Sequence, residues 1–132
     1  MTCLLDTHAF LWAVMAPEKL SSKMRVVISD TTNEIFVSTV SFWEISLKFS
    51  LGKLELVGCS PEALVGIAGT MGLAISAPTA EESAGFHRFP KLPHKDPFDR
   101  MLIWQCLQRR WTLITRDRGL DQYLALGLLT AW

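Results

Sequence analysis

The stretch HKDPFDRMLIW, residues 94–104, predicts a helix that carries a carboxylate at its start. Asp96 followed by Pro97 is typical of a helix N-cap and a first helical residue, where the missing proline N–H costs nothing. Asp99 then falls in the first turn, near the positive end of the helix dipole. Apolar residues recur beyond this point at helical spacing, namely Phe98, Leu102, Ile103, Cys106 and Leu107. The helix is therefore expected to bury its body and to present Asp99 at an exposed end.

Short apolar runs alternate with helical patterns along the rest of the chain. The runs predict five strands, at residues 2–5, 34–38, 73–76, 112–115 and 128–131. Helices are predicted between them, at residues 9–15, 20–30, 41–51, from 60, 79–89, from 96 and 120–126. This alternation predicts an α/β fold with a parallel sheet covered on both faces. No linker or repeat divides the 132 residues, so residues 1–132 are expected to form one domain.

The charge is balanced in total but uneven along the chain. Thirteen basic and 13 acidic side chains give a formal net charge of zero, which argues against a strongly basic nucleic-acid binder. Eight of the basic residues nevertheless lie between Arg88 and Arg118, where only three acids oppose them. A solvated surface explains any one of these residues, whereas the group could guide a polyanion.

The cysteines and the apolar segments indicate a cytoplasmic protein without a membrane anchor. Cys3, Cys59 and Cys106 show no paired spacing, which argues against a disulfide framework or a zinc site and suits a reducing compartment. No basic region precedes the first apolar run, so no signal peptide is predicted. Residues 63–80 are uncharged and reach the lower limit for a membrane span, but three glycines and a proline favour a helix, a turn and a strand.

Four carboxylates occur at related places in this pattern. Asp6 follows the first strand, Glu44 lies in the helix after the second, Asp99 precedes the fourth, and Asp117 follows the fourth. Each has a local explanation, because Asp6 and Asp117 could cap the next helix. Ser41 and Glu44 have the spacing of a capping box, and Glu44 and Lys48 the spacing of a helical ion pair.

Taken together, the four acids predict a metal site. In a parallel sheet the strand carboxyl ends and the helix starts that follow them share one edge, where ligands bind. This places three of the acids there, and Asp99 joins them if its helix also begins on that side. Clustered carboxylates repel one another, and Mg²⁺ or Mn²⁺ removes that repulsion by accepting their oxygens. One or two such ions can activate water and stabilise the leaving oxygen of a phosphodiester.

Four segments resemble the acidic motifs of PIN-domain proteins, particularly the VapC-like toxins of bacterial toxin–antitoxin pairs. They are LLDTHAFLW at residues 4–12, VSTVSFWEI at 37–45, HKDPFDRMLI at 94–103 and LITRD at 113–117. Their order and gaps match across nearly the whole chain. The resemblance implies a PIN-like three-layer α/β/α sandwich, with a central and mostly parallel sheet of about five strands. It also implies a metal-dependent endoribonuclease that forms a homodimer and is blocked by a tight antitoxin partner.

The resemblance assigns the catalytic metal site to Asp6, Glu44, Asp99 and Asp117, with Mg²⁺ or Mn²⁺ as the cofactor. Asp96 also matches the third motif but is assigned to the helix cap. The fourth motif of the family often has a small residue where this chain has Arg116. Secondary polar or substrate-contacting candidates are Thr7, Thr115, Arg100 and Arg116, with Arg118 as a further phosphate contact.

Two other functions stay open at this point. A phosphatase-like hydrolase could use Asp6 as a covalent nucleophile, although such enzymes usually carry a second Asp where this chain has His8. A non-catalytic module could hold RNA or protein without cutting it, although the presence of all four acids disfavours that interpretation. His8 and His94 are expected to lie near the acids, and His8 is interpreted as a structural histidine that could otherwise help to position substrate. The tryptophans are interpreted as core residues, namely Trp12, Trp43, Trp104 and Trp111.

Overall fold

The computed structural model describes residues 1–93 and 96–132. His94 and Lys95 lie outside the described residues, and so does the prediction that His94 lies near the acids. Within that part of the chain the strands are β1 (Thr2–Leu5), β2 (Glu34–Ser38), β3 (Ala74–Ser76), β4 (Thr112–Ile114) and β5 (Leu129–Ala131). The α-helices are α1 (Thr7–Met15), α2 (Ser22–Ser29), α3 (Thr39–Ser50), α4 (Ala63–Thr70), α5 (Ala80–Gly85), α6 (Pro97–Arg109) and α7 (Asp121–Leu124). Short 3₁₀ turns occupy Pro17–Lys19 and Phe86–Arg88.

The five strands form one sheet in the order β3-β2-β1-β4-β5, and every pairing is parallel. Leu5 at the end of β1 is in register with Val37 of β2 and with Ile114 of β4. The carboxyl ends of the three central strands therefore lie at one edge of the sheet. The predicted parallel sheet of about five strands is confirmed.

The core divides into two parts because successive strand residues point to opposite faces of the sheet. Cys3 and Leu5 pack with residues of α1, α2 and α4, whereas Leu4 between them packs with α6 and Tyr123. Each face of the sheet is thus covered by its own apolar layer. This arrangement is the expected three-layer α/β/α sandwich.

Two helices beside the predicted acids begin at a residue whose side chain caps the helix. Asp6 accepts a hydrogen bond from the Ala9 N–H and so caps α1, as predicted. Asp96 accepts from the N–H groups of Phe98 and Asp99 and caps α6, also as predicted. These caps leave Asp6 and Asp99 at helix starts on the same edge of the sheet.

The predicted start of α3 is wrong. The helix begins at Thr39 rather than at Ser41, because Ser38 accepts from the Val40 N–H and is the N-cap. Ser41 and Glu44 consequently lie inside the helix, buried, and form no capping box. Asp117 does not cap the following helix either, since it accepts from the Gly119 N–H and Leu120 is the N-cap of α7.

Two expectations about apolar residues have different outcomes. Residues 63–80 form α4, a turn and β3, and no helix in the described ranges is long and apolar enough to cross a membrane. Among the tryptophans Trp104 is buried, but Trp43 on α3 is 65% exposed, so its assignment to the core is wrong. Trp43 contacts Phe98 at the start of α6 edge to face.

Candidate metal centre

Asp6 and Asp117 lie at the carboxyl ends of neighbouring strands. Asp6 directly follows β1, and its N–H donates to the carbonyl oxygen of Ile114, the last residue of β4. Thr115 follows Ile114 and its hydroxyl oxygen accepts from the Asp117 N–H at 3.0 Å. The parallel pairing of β1 and β4 therefore brings the first and the last predicted acids to the same place.

Three of the four predicted acids line one small cavity. Asp6, Asp99 and Asp117 border a space of about 220 Å³, which we call the carboxylate cavity. His8 and Thr115 also border it, and its apolar walls are Leu102, Ile103, Leu113 and Leu120. The cavity is thus acidic at its mouth and closed by core residues behind.

Glu44 joins this arrangement through Asp99. One carboxylate oxygen each of Glu44, Asp96 and Asp99 lies within 4.8 Å of the other two, and we call this group the acidic corner. Asp99 belongs both to the acidic corner and to the carboxylate cavity. The fold therefore places the four predicted acids in two groups that share Asp99, and it adds Asp96, for which the sequence had indicated only a cap, to the acidic corner.

Glu44 is held in place by a buried hydroxyl from another helix. It is 2% exposed, and its Oε1 lies 2.6 Å from Thr7 Oγ1. Thr7 Oγ1 also lies 2.9 Å from Ser41 Oγ. Because the Thr7 hydroxyl has one proton, its donation to Glu44 leaves Ser41 to donate to Thr7. No pattern near Glu44 in the sequence indicates this contact.

The second oxygen of Glu44 forms an ion pair with Lys48, one helical turn further along α3, as the spacing predicted. Burial alone would lower the pKa of Lys48. The hydrogen bond to Glu44 and the charges of Glu44, Asp96 and Asp99 act in the opposite direction and outweigh burial, so the pKa of Lys48 is raised above its usual value. Lys48 is therefore a protonated cation at the acidic corner.

Burial raises the pKa of Asp6 above its usual value. Hydrogen bonds from the Thr115 hydroxyl and the Ala9 N–H oppose this shift, and the charge of Asp117 adds to it. Thr115 thus contacts Asp6 through its hydroxyl proton and Asp117 through its oxygen. An ionised Asp6 is costly in this position unless a cation lies beside it.

The arginine candidates separate into two environments. Arg116 is exposed and borders a groove of about 1140 Å³, which we call the outer groove. Lys19 and Arg118 also line this groove, and Asp6 and Asp117 lie where it meets the carboxylate cavity. Arg100 instead packs over the Phe89 ring, 4.6 Å from its centre, and donates to the Pro90 carbonyl oxygen.

The donor set suits a hard divalent cation. Carboxylate oxygens are the ligands that Mg²⁺ and Mn²⁺ prefer, and thiols and imidazoles select other metals. The buried cysteines Cys3 and Cys106 lie in the two apolar cores instead. The residues present therefore fit Mg²⁺ or Mn²⁺.

The chain is similar in sequence to one known protein family and to one of its ribonucleases. A family model described as the PIN domain matches residues 3–125 of this chain. Ribonuclease VapC22 of Mycobacterium tuberculosis is 25% identical over an alignment of 134 positions, which covers 99% of this chain and 98% of the relative.

Solved structures with similar folds include toxin–antitoxin complexes. VapBC2 from Rickettsia felis, bound to a promoter DNA fragment, matches with a TM-score of 0.69 and 14% identity, over 99% of this chain and 98% of that chain. DNA-bound VapBC from Salmonella typhimurium matches with a TM-score of 0.65 and 13% identity, over 99% and 97% of the two chains. At these identities the likeness concerns the fold alone.

Proposed function

Because this chain belongs to the PIN-domain family, we propose that it is a metal-dependent endoribonuclease and the toxin of a type II toxin–antitoxin pair. The observation that carries the proposal is the position of Asp99. This residue lines the carboxylate cavity with Asp6 and Asp117, and it lies in the acidic corner with Glu44. Four carboxylates from distant parts of the chain are thus linked through Asp99, which supports a ligand site at the carboxyl edge of the parallel sheet, where α/β proteins bind ligands.

The residues of the chain have distinct parts in this mechanism. Asp6, Asp99 and Asp117, with Glu44 beside Asp99, would hold Mg²⁺ or Mn²⁺, which when bound would supply an activated water and stabilise charge on the leaving oxygen. Thr7 orients Glu44, and Thr115 orients Asp6 and Asp117. Water attacks the phosphorus in line as it loses a proton, the bond from phosphorus to the leaving oxygen breaks, and that oxygen takes up a proton, so no side chain becomes covalently attached to the substrate.

The outer groove is the proposed path of the RNA backbone. Lys19, Arg116 and Arg118 line it, and it opens beside Asp6 and Asp117. Cationic side chains along a groove attract phosphates over several ångströms. A strand that follows this groove passes the carboxylate cavity with its phosphates facing the proposed metal site.

We also propose that the protein acts in the cytoplasm as a homodimer and is held inactive by an antitoxin protein. The relatives named above include a ribonuclease VapC and VapBC complexes, which supports this assignment. Large apolar side chains on α3 are exposed, namely Trp43, Leu47 and Phe49, and they offer surface for association. Free cysteines agree with a reducing compartment.

The test is cleavage of total cellular RNA by the purified chain, with the fragment ends sequenced. Cleavage is expected with Mg²⁺ and not with EDTA, and Asp99→Asn should abolish it. Asp30→Asn is a matched control, because Asp30 is an exposed aspartate that precedes β2 and so lies towards the opposite edge of the sheet. RNA binding without cleavage in Mg²⁺ would favour a non-catalytic module, and a phosphorylated Asp6 would favour a phosphatase.

A further inference from the structure

The carboxylate cavity and the acidic corner together form what we call the acidic centre. Lys48 lies at its acidic corner, where it neutralises the buried Glu44. Its Nζ forms an ion pair with Glu44 Oε2, while Glu44 Oε1 accepts from Thr7. The Glu44 side chain is 3% exposed, and the Lys48 side chain reaches it from a position that is 36% exposed. Most helical pairs at this spacing are exposed on both sides and contribute little. This pair differs because it compensates a buried carboxylate.

The acidic centre has two parts that each require positive charge. The carboxylate cavity contains Asp6, Asp99 and Asp117, and the acidic corner contains Glu44, Asp96 and Asp99. Carboxylates this close together cannot all be ionised without cations beside them. The ammonium group of Lys48 already lies at the acidic corner, where it bonds to Glu44 and is attracted by Asp96 and Asp99.

We propose that the Lys48 ammonium takes the place of a second metal ion, so that the centre binds a single divalent cation in the carboxylate cavity. The inference rests on the metal site of the proposed function. Paired metal ions in nucleases lie about 3.5–4 Å apart and share bridging carboxylates. A divalent ion at the acidic corner would have to displace Lys48 from Glu44 and then lie beside its positive charge.

The experiment is a titration of the full chain with Mn²⁺, in which the free ion is counted by electron paramagnetic resonance. The wild type is expected to bind one Mn²⁺ per chain. Lys48→Met removes the charge while keeping the stem, so this variant should bind two. Lys48→Arg keeps a cation near Glu44 and should bind one, as should the control Lys53→Met, which changes an exposed lysine just beyond α3.

A second measurement does not depend on counting ions. Without Lys48, Glu44 keeps its buried position but loses its cation, so Lys48→Met should lower the thermal midpoint in EDTA. Mn²⁺ should then restore the midpoint more in Lys48→Met than in the wild type, because the ion binds at the vacated corner. Lys48→Gln retains an N–H donor without the charge, and it replaces Lys48→Met if that variant does not fold.

The outcomes separate this inference from the function on which it rests. One ion in the wild type and two in Lys48→Met support it. Two ions in the wild type, or only one ion in Lys48→Met, overturn it and leave the nuclease proposal standing. A wild type that binds no Mn²⁺ and does not cleave RNA overturns both.

Discussion

Thr7 and Glu44 are 37 residues apart in the chain, yet Thr7 Oγ1 lies 2.6 Å from Glu44 Oε1 in the interior. The bond joins the start of α1 to the middle of α3 and directs the other oxygen of Glu44 towards Lys48. Thr7 also follows Asp6 directly. One dipeptide at the end of β1 therefore supplies one acid of the proposed metal site and fixes the orientation of a second.

Replacing Thr7 by valine should weaken metal binding. Valine keeps the shape of the side chain but cannot donate to Glu44, so Glu44 and its partner Lys48 lose their fixed position beside the metal ligand Asp99. Groups behind a metal ligand typically change metal affinity about 10–100-fold. We expect a loss of that size in a Mn²⁺ titration, with recovery in Thr7→Ser. Wild-type affinity in Thr7→Val would show that the hydroxyl has no such role.

Asp6→Asn should stabilise the metal-free protein while abolishing cleavage. Burial raises the pKa of Asp6 in the folded state. A carboxyl group whose pKa is raised on folding favours the fold below its unfolded pKa and loses that contribution as the pH rises through its folded pKa. Asparagine does not ionise, and its amide oxygen can still accept from the Ala9 N–H.

The thermal midpoint of Asp6→Asn in EDTA at pH 7 should therefore exceed that of the wild type. The difference should vanish below about pH 4, where aspartate itself is protonated. Excess Mn²⁺ should reverse the order, because only the wild type binds it well. A variant that is less stable than the wild type in EDTA would contradict this account of Asp6.

Glu82 and Arg109 form a partly buried ion pair away from the acidic centre, and this pair should govern acid stability. Arg109 Nε and Nη2 donate to the two oxygens of Glu82 at 2.8 and 2.7 Å. These bonds hold the pKa of Glu82 below its usual value, against the effect of burial. The stabilisation is therefore present above the unfolded pKa of about 4.3 and is lost as the pH falls through the lower folded pKa.

Glu82→Gln should lower the free energy of unfolding by about 2 kcal/mol at pH 7, the size of hydrogen bonds to a charged group. The difference in the free energy of unfolding between the variant and the wild type should narrow between pH 5 and pH 3, as urea unfolding would measure. RNA cleavage at pH 7 should be unchanged. A gap that is the same at both pH values would contradict the assignment.

Arg116 and Arg118 should contribute to RNA affinity and not to metal binding. Each phosphate contact to a single strand adds about 0.7 to the slope of log affinity against log salt. Changing both residues to glutamine should lower the size of that slope by about 1.4 and weaken binding, as fluorescence anisotropy with a labelled RNA in EDTA would measure.

Arg110→Gln is the matched control for the two arginines. Arg110 is the C-cap of α6 and shortly precedes β4, and it therefore lies towards the opposite edge of the sheet. The control should leave the slope unchanged. An unchanged slope in the double variant as well would remove the outer groove from the RNA path.

The sequence predicted the fold well because its signals are local. Alternating apolar runs and helical spacings predicted the strands, and Asp96-Pro97 predicted the start of α6. The start of α3 was predicted wrongly because Ser38 and Ser41 are both good caps, and only the bond from the Val40 N–H to the Ser38 hydroxyl oxygen shows which one is used.

The contacts that organise the centre could not be predicted from sequence spacing, because they join distant segments. Thr7 meets Ser41 and Glu44 across 34 and 37 residues. The buried Ser38 hydroxyl donates to Gln105 Oε1 at 2.6 Å across 67 residues and joins β2 to α6. The position of Asp96 beside Glu44 likewise follows from how α3 and α6 pack, and no motif in either helix reveals it.

The site itself is tested by crystals of the wild type soaked in Mn²⁺, with anomalous scattering recorded near the manganese edge. We predict a peak in the carboxylate cavity, about 2.1 Å from oxygens of Asp6, Asp99 and Asp117. Asp99→Asn crystals treated in the same way should lack that peak. A well-ordered wild-type cavity without manganese, or manganese bound only elsewhere on the protein, would contradict the account.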